Sequence, residues 1–123
     1  MSAPGIMHDS LAIWRRVTAA DGVALYNPFS GVLDGLAVTR HTDWARIGPD
    51  GTRDSLETSL FGPYERLLMI EELTEVALNY DLDGSWVDGD CWAVSPDYCE
   101  AARNKFFAMT NIDQLPKNPG DPA

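Results

Sequence analysis

The chain has 123 residues and 45% apolar side chains, which is enough for one domain with its own hydrophobic core. Its formal net charge of −10 disfavours direct binding to nucleic acid or to anionic membrane surfaces, and it favours a basic partner. No apolar run has the length of a transmembrane helix, and residues 1–9 lack the features of a signal peptide, so a cytoplasmic protein is expected.

The negative charge is concentrated in one part of the sequence. Residues 1–53 contain five basic and five acidic side chains, whereas residues 54–100 contain twelve carboxylates and a single arginine. Excess negative charge often serves solubility alone. Here its concentration indicates that a basic partner surface would meet the second half of the chain.

The first half of the chain is predicted to consist of strands. Residues 12–18 are rich in β-branched and aromatic side chains, and Asp21-Gly22 favours a turn into a second strand at residues 23–26. Residues 36–41 are predicted to be extended as well. The clearest turn signal is Gly48-Pro49-Asp50-Gly51, which suits a type I turn with Gly51 at positive φ and therefore predicts a hairpin.

The longest stretch with a helical apolar period is residues 63–80, with Pro63 suited to the first helical position. At about 100° per residue, one face gathers a predicted buried stripe of Leu67, Ile70, Leu73, Ala77 and Tyr80. The opposite face carries carboxylates around one leucine that is expected to be exposed: Glu65, Leu68, Glu72 and Glu75. This face is a candidate contact surface for a basic partner.

Four more candidate partner-binding carboxylates follow that helix: Asp81, Asp83, Asp88 and Asp90. Their spacing does not fit a calcium loop, because an EF-hand register places Trp86 where glycine is required. They are interpreted as turn aspartates next to a strand or hairpin at residues 85–94. No metal site is predicted.

A second helix is predicted from Ser95 as N-cap and Pro96 as first residue to about residue 110. Its expected buried stripe is Tyr98, Cys99, Ala102, Phe106 and Met109. The predicted fold is therefore a single α+β domain over residues 1–113, with an antiparallel sheet built from hairpins. Two helices, at about 63–80 and 96–110, pack on one face of the sheet, and residues 114–123 form a flexible Pro-rich tail.

Candidate catalytic chemistry is sparse. Cys91 and Cys99 lack the spacing of a zinc site and are interpreted as core thiols. His41 and Asp43 share one side of a predicted extended chain, where a surface hydrogen bond is the commoner explanation and general-base chemistry the alternative. No catalytic residue and no cofactor are predicted, and most of the four tryptophans are expected in the core.

These observations favour a small acidic binding protein of the inhibitor, antitoxin or immunity type, with mimicry of DNA as one version. Its acidic helix face and the aspartates of residues 81–90 would engage a basic protein surface. One alternative is a small enzyme or ligand-binding domain with a pocket between sheet and helices. Another is a structural or assembly subunit, such as a phage component. The oligomeric state is left open by the sequence.

Overall fold

Helices and strands alternate along the chain in the computed structural model, which describes residues 8–88, 95–118 and 121. The helices are α1 (Ser10–Ala20), α2 (Gly35–Arg40), α3 (Ile70–Tyr80) and α4 (Glu100–Thr110), and the strands are β1 (Tyr26–Ser30), β2 (Ala45–Ile47), β3 (Arg53–Thr58) and β4 (Gly84–Asp88). A 3-10 turn spans Thr42–Trp44, and a π-helical segment, Glu65–Met69, leads directly into α3. The protein therefore has the mixed helix and strand content that was predicted.

The strand predicted at residues 12–18 is wrong, because this segment lies in α1. The Asp9 carboxylate caps the helix by accepting a hydrogen bond from the Ala12 N–H at 3.0 Å. Ile13, Trp14 and Val17 suggested a strand by their residue types, but their i, i+1, i+4 spacing matches one side of a helix.

Residues 36–41 are likewise helical instead of extended. Asp34-Gly35 is an Asp-Gly pair like Asp21-Gly22, which favours a turn, yet the Asp34 side chain caps α2 by accepting the Ala37 N–H at 2.8 Å. Asp-Gly is compatible with both arrangements, so the residues that follow it decide between turn and helix start.

The strands form two small sheets instead of one sheet of hairpins. β2 and β3 pair antiparallel, and the predicted hairpin turn between them is confirmed: Gly51 has φ +84° and donates its N–H to the Gly48 carbonyl at 3.0 Å. β1 pairs in parallel with β4, with Tyr26 opposite Gly84 and Ser30 opposite Asp88. The predicted hairpin between residues 12–18 and 23–26 is therefore wrong, since the partner of β1 lies far along the chain.

The helix predicted over residues 63–80 is present, but its predicted buried stripe is wrong at three positions. Leu67 and Ile70 are 54% and 47% exposed and Ala77 is exposed as well, whereas Met69 is only 6% exposed. A π-helical turn contains more residues than an α-helical one, so a stripe extrapolated at constant angle across Glu65–Met69 loses its register. Leu68, expected to be exposed, is half-buried and packs against the core.

The second predicted helix begins later than expected, at Glu100. Cys99 is its N-cap, with Sγ accepting the Ala102 N–H at 3.4 Å, so Ser95 is not the cap. Ser95 instead donates its N–H to Glu57 at 3.0 Å. Within the predicted stripe, Ala102 is buried but Met109 is 75% exposed.

A small core cluster of Ala37, Trp44, Tyr64 and Met69 joins α2, the 3-10 turn and the π-helical segment. Four further apolar residues are buried: Val32, Val38, Ala45 and Ala102. Trp14 and Trp86 are 61% and 52% exposed, which contradicts the expectation that most tryptophans are in the core. Pro116 lies in the segment predicted to be a flexible tail, and its backbone carbonyl accepts a hydrogen bond from the Tyr98 hydroxyl at 2.6 Å.

Candidate functional site

A groove of about 750 Å³ lies between the start of α1, the strand β1 and the outer side of α3. We call it the acidic groove, because four carboxylates contribute to its lining: Asp9, Glu71, Glu72 and Glu75. Apolar side chains lie among them: Leu11, Phe29, Leu68, Val76 and Leu78. This combination of apolar surface and carboxylates offers both hydrophobic contact and attraction for cationic groups.

Two residues in the lining of the groove, Asp9 and Tyr80, form a contact between α1 and α3. The Tyr80 hydroxyl donates a hydrogen bond to Asp9 Oδ2 at 2.8 Å. The Ala12 N–H and, to a lesser extent, this hydroxyl hold the pKa of Asp9 below its usual range. Asp9 is therefore anionic at neutral pH and fixes the position of the first turn of α1.

The surroundings of Glu72 in the groove disfavour its ionised form. Partial desolvation raises its pKa, and repulsion from Asp34 and Glu75 raises it further. Glu72 thus lies among negative charges. A cation placed beside it would relieve this repulsion, because an opposite charge favours the ionised carboxylate.

Asp34 has a structural role next to this cluster. Besides capping α2, its Oδ2 accepts the hydroxyl of the buried Tyr64 at 3.2 Å. Burial raises the pKa of Tyr64, and the negative charge of Asp34 adds to the effect. Tyr64 therefore stays protonated and acts as a hydrogen-bond donor between the π-helical segment and α2.

The structure brings three of the eight predicted partner-binding residues together in the acidic groove: Leu68, Glu72 and Glu75. Glu65 lines a different cavity, which includes Asp43 and Cys99. The predicted acidic helix face is therefore divided between two concave surfaces.

Three of the aspartates after α3, Asp81, Asp83 and Asp88, do not line the groove. Asp81 ends α3 in a left-handed conformation, with φ +48°. Asp83 pairs with Arg15 at 2.6 Å and accepts the Leu25 N–H at 2.8 Å, so its charge is already compensated. Asp88 is exposed at the end of β4, and Asp90 lies outside the described residues.

Sequence reasoning missed the contributions of Asp9, Phe29 and Arg40 to the groove. These residues come from α1, β1 and α2, which the sequence did not connect with α3. Only the N-cap position of Asp9 carried a local signal. The contribution of β1 depends on its parallel pairing with β4, which leaves no local pattern in the sequence.

The alternative catalytic residues, His41 and Asp43, do not share an extended segment in the structure. His41 ends α2 and stacks on Trp44, with ring centroids 3.9 Å apart and planes inclined by 11°, while Asp43 lies in the 3-10 turn. The predicted extended arrangement of His41 and Asp43 is therefore wrong.

One of the two thiols, Cys99, differs from the prediction. Cys99, expected in the core, is half-buried and lies 3.2 Å from the Ser59 hydroxyl at the edge of a cavity of about 520 Å³. Cys91, expected in the core as well, falls outside the described residues, as does Trp92.

Within the described residues, no cluster of three or more histidine, cysteine, aspartate or glutamate side chains is arranged to hold a metal ion. None of the helices in that part of the chain is long and apolar enough to cross a membrane. The chain matches no protein-family model, no curated protein and no solved structure.

Proposed function

We propose that this protein is a small acidic binding protein, of the inhibitor, antitoxin or immunity type, that engages a basic partner through the acidic groove. One observation carries the proposal. Leu68, Glu72 and Glu75, chosen from the sequence as partner-contacting residues, line the same concave surface together with Glu71 and Asp9.

The electrostatics of the groove favour a cationic occupant. Repulsion among Glu72, Glu75 and Asp34 is already present in the free protein, and Arg40 is the one arginine among the described residues that line the groove. A lysine or arginine entering the groove would therefore gain attraction and relieve repulsion at once. The excess negative charge of residues 54–100 would also steer a basic surface toward this side and raise the association rate.

The apolar side chains that line the groove add hydrophobic contact to the electrostatic attraction. Leu78 is 79% exposed on α3, and Val76 and Phe29 lie half-buried beside it in the groove. A basic segment that also carries an aliphatic or aromatic residue would bury these side chains. Such an anchor would provide affinity, while the carboxylates would select against acidic competitors.

The test is titration calorimetry with a synthetic peptide that alternates lysine and leucine, at several salt concentrations. We expect the affinity of the wild-type chain to fall as salt rises. Glu72→Lys should weaken binding about tenfold, since it removes an attraction of about 0.7 kcal/mol and adds a repulsion of about the same size. Asp113→Lys is the matched control, because it makes the same charge change at an exposed residue outside the groove.

Two results would contradict the proposal. Binding that is indifferent to salt would exclude an electrostatic site. Equal loss in the Glu72→Lys and Asp113→Lys variants would show that only net charge matters and that the groove is not the binding surface. Thermal unfolding of each variant checks that the comparison is made between folded proteins.

A further inference from the structure

A small cavity lies between the segment that precedes α4 and the β2–β3 hairpin. Its volume is about 20 Å³. A cavity needs roughly 10–15 Å³ to hold one water molecule, and it must also offer that water polar partners. Polar and apolar side chains both contribute to the lining: Arg46, Glu57, Thr58, Ser95, Asp97, Val32, Leu60 and Phe61. The cavity therefore has the size and the polar groups that a single water molecule requires.

Asp97 brings an unsatisfied acceptor to the wall of this cavity. Its Oδ1 accepts two backbone N–H groups, from Ile47 at 3.1 Å and from Cys99 at 2.9 Å. Its Oδ2 is buried, and no donor in the described part of the chain reaches it. A buried oxygen without a hydrogen bond is costly, because folding removes it from water and gives nothing in exchange. Since Oδ1 is already occupied, Oδ2 is the oxygen that can accept from a molecule in the cavity.

We propose that a single water molecule occupies this cavity and donates a hydrogen bond to Asp97 Oδ2. A buried water typically makes about three hydrogen bonds. The Ser95 hydroxyl is one further donor in the lining, and Arg46 has N–H groups beyond the three that already donate. The oxygens of Glu57 and Thr58 are further acceptors in the lining. These groups supply the remaining partners of the water.

The lining of the cavity favours water over a metal cation. Asp97 and Glu57 would attract a cation, but the guanidinium of Arg46 in the same lining repels it. Hard cations such as Ca²⁺ take about six or more oxygen ligands. Val32 and Phe61 form part of the wall and offer no oxygen from their side chains. A neutral water molecule needs fewer partners and no compensation of charge.

The water would complete the junction between α4 and the hairpin. The Asp97 carboxylate joins the two elements, because Ile47 belongs to β2 and Cys99 is the N-cap of α4. A hydrogen bond to Oδ2 would offset the desolvation of this carboxylate and hold it in place. The site is independent of the acidic groove and of its proposed partner.

The test combines a high-resolution crystal structure of the full chain with oxygen-17 relaxation dispersion, which counts water molecules that a protein holds for long times. We expect electron density for one water within hydrogen-bond distance of Asp97 Oδ2. Val32→Ile adds a methyl group to the cavity wall, so this variant should hold one long-lived water fewer than the wild type. Val38→Ile makes the same change at a buried valine outside the lining and should keep the wild-type count.

An empty cavity in the wild-type crystal structure would overturn the proposal, as would equal numbers of long-lived waters in the wild type and in Val32→Ile. A metal cation in the cavity, or a protein donor bonded to Asp97 Oδ2, would overturn it as well. Circular dichroism checks that both variants fold. If Val32→Ile does not fold, the wild-type crystal structure alone decides whether the water is present.

Discussion

Arg46 connects three segments, and its substitution should be among the most destabilising in this protein. Its Nε donates to Glu57 Oε2 and its Nη2 to Asp54 Oδ2, each at 2.7 Å, while Nη1 donates to the Pro96 carbonyl at 3.0 Å. Glu57 is 7% exposed, and its other oxygen accepts the Ser95 N–H at 3.0 Å. The guanidinium thus holds the segment before α4 onto the β2–β3 hairpin.

The magnitude follows from the burial of this pair. Removing one partner of a fully buried ion pair costs about 3–5 kcal/mol, because the remaining charge is left uncompensated. The Arg46 and Glu57 side chains are 17% and 9% exposed, so water screens part of this loss. For Arg46→Met, which keeps most of the aliphatic stem, we expect the free energy of unfolding to fall by about 2–3 kcal/mol.

Urea unfolding followed by tryptophan fluorescence and far-ultraviolet circular dichroism measures this loss. The double variant Arg46→Met/Glu57→Gln removes the uncompensated carboxylate as well. It should therefore lose less than the sum of the two single variants, with a coupling of about 1 kcal/mol or more. A loss below about 1 kcal/mol for Arg46→Met, or strictly additive effects, would refute the reasoning.

Three further predictions concern the core, the parallel sheet and acid stability. Leu68→Ala should lower the free energy of unfolding by about 1–2 kcal/mol, because Leu68 packs against the core; unchanged stability in urea would show that this contact is dispensable. Gly84→Ala should cost about 1–2 kcal/mol, since the new methyl group would overlap the ring of Tyr26; an equal cost in a Tyr26→Ala background would exclude this clash. The backbone N–H of Leu56, more than any other group, holds the pKa of the Asp54 carboxyl below its usual range. The ionised Asp54 carboxylate therefore stabilises the fold above about pH 4, and this contribution is lost as the pH falls further. Asp54→Asn should therefore flatten the fall in melting temperature at acidic pH, and a profile identical to that of the wild type would contradict this origin.

Local sequence chemistry predicted the elements that depend on neighbouring residues. The hairpin turn at residues 48–51 follows from proline, aspartate and a glycine at positive φ, all within one turn. The helix over residues 63–80 follows from its apolar period. The burial pattern within that helix was not predictable, because no residue type signals the π-helical segment at Glu65–Met69.

Local sequence patterns do not predict structural elements and site contacts that depend on residues far apart in the sequence. Asp83 was predicted to contact a partner, yet it pairs with Arg15, which is 68 positions away. Asp34 and Asp50 both precede glycine, but the first caps a helix and the second lies in a turn. In the same way, the helix face that carries Glu72 was predictable, whereas the α1 and β1 walls of the groove were not.

The parallel pairing of β1 with β4 has a consequence for how the protein folds. Tyr26 pairs with Gly84, so closing this contact joins positions 58 residues apart. The chain entropy lost in closing such a loop is on the order of 3–4 kcal/mol, and contacts of this range form slowly. β4 follows α3 in the sequence, and β1 supplies Asn27 and Phe29 to the groove. During synthesis, β1 must therefore wait for most of the chain before it can pair, so the groove is completed late in folding.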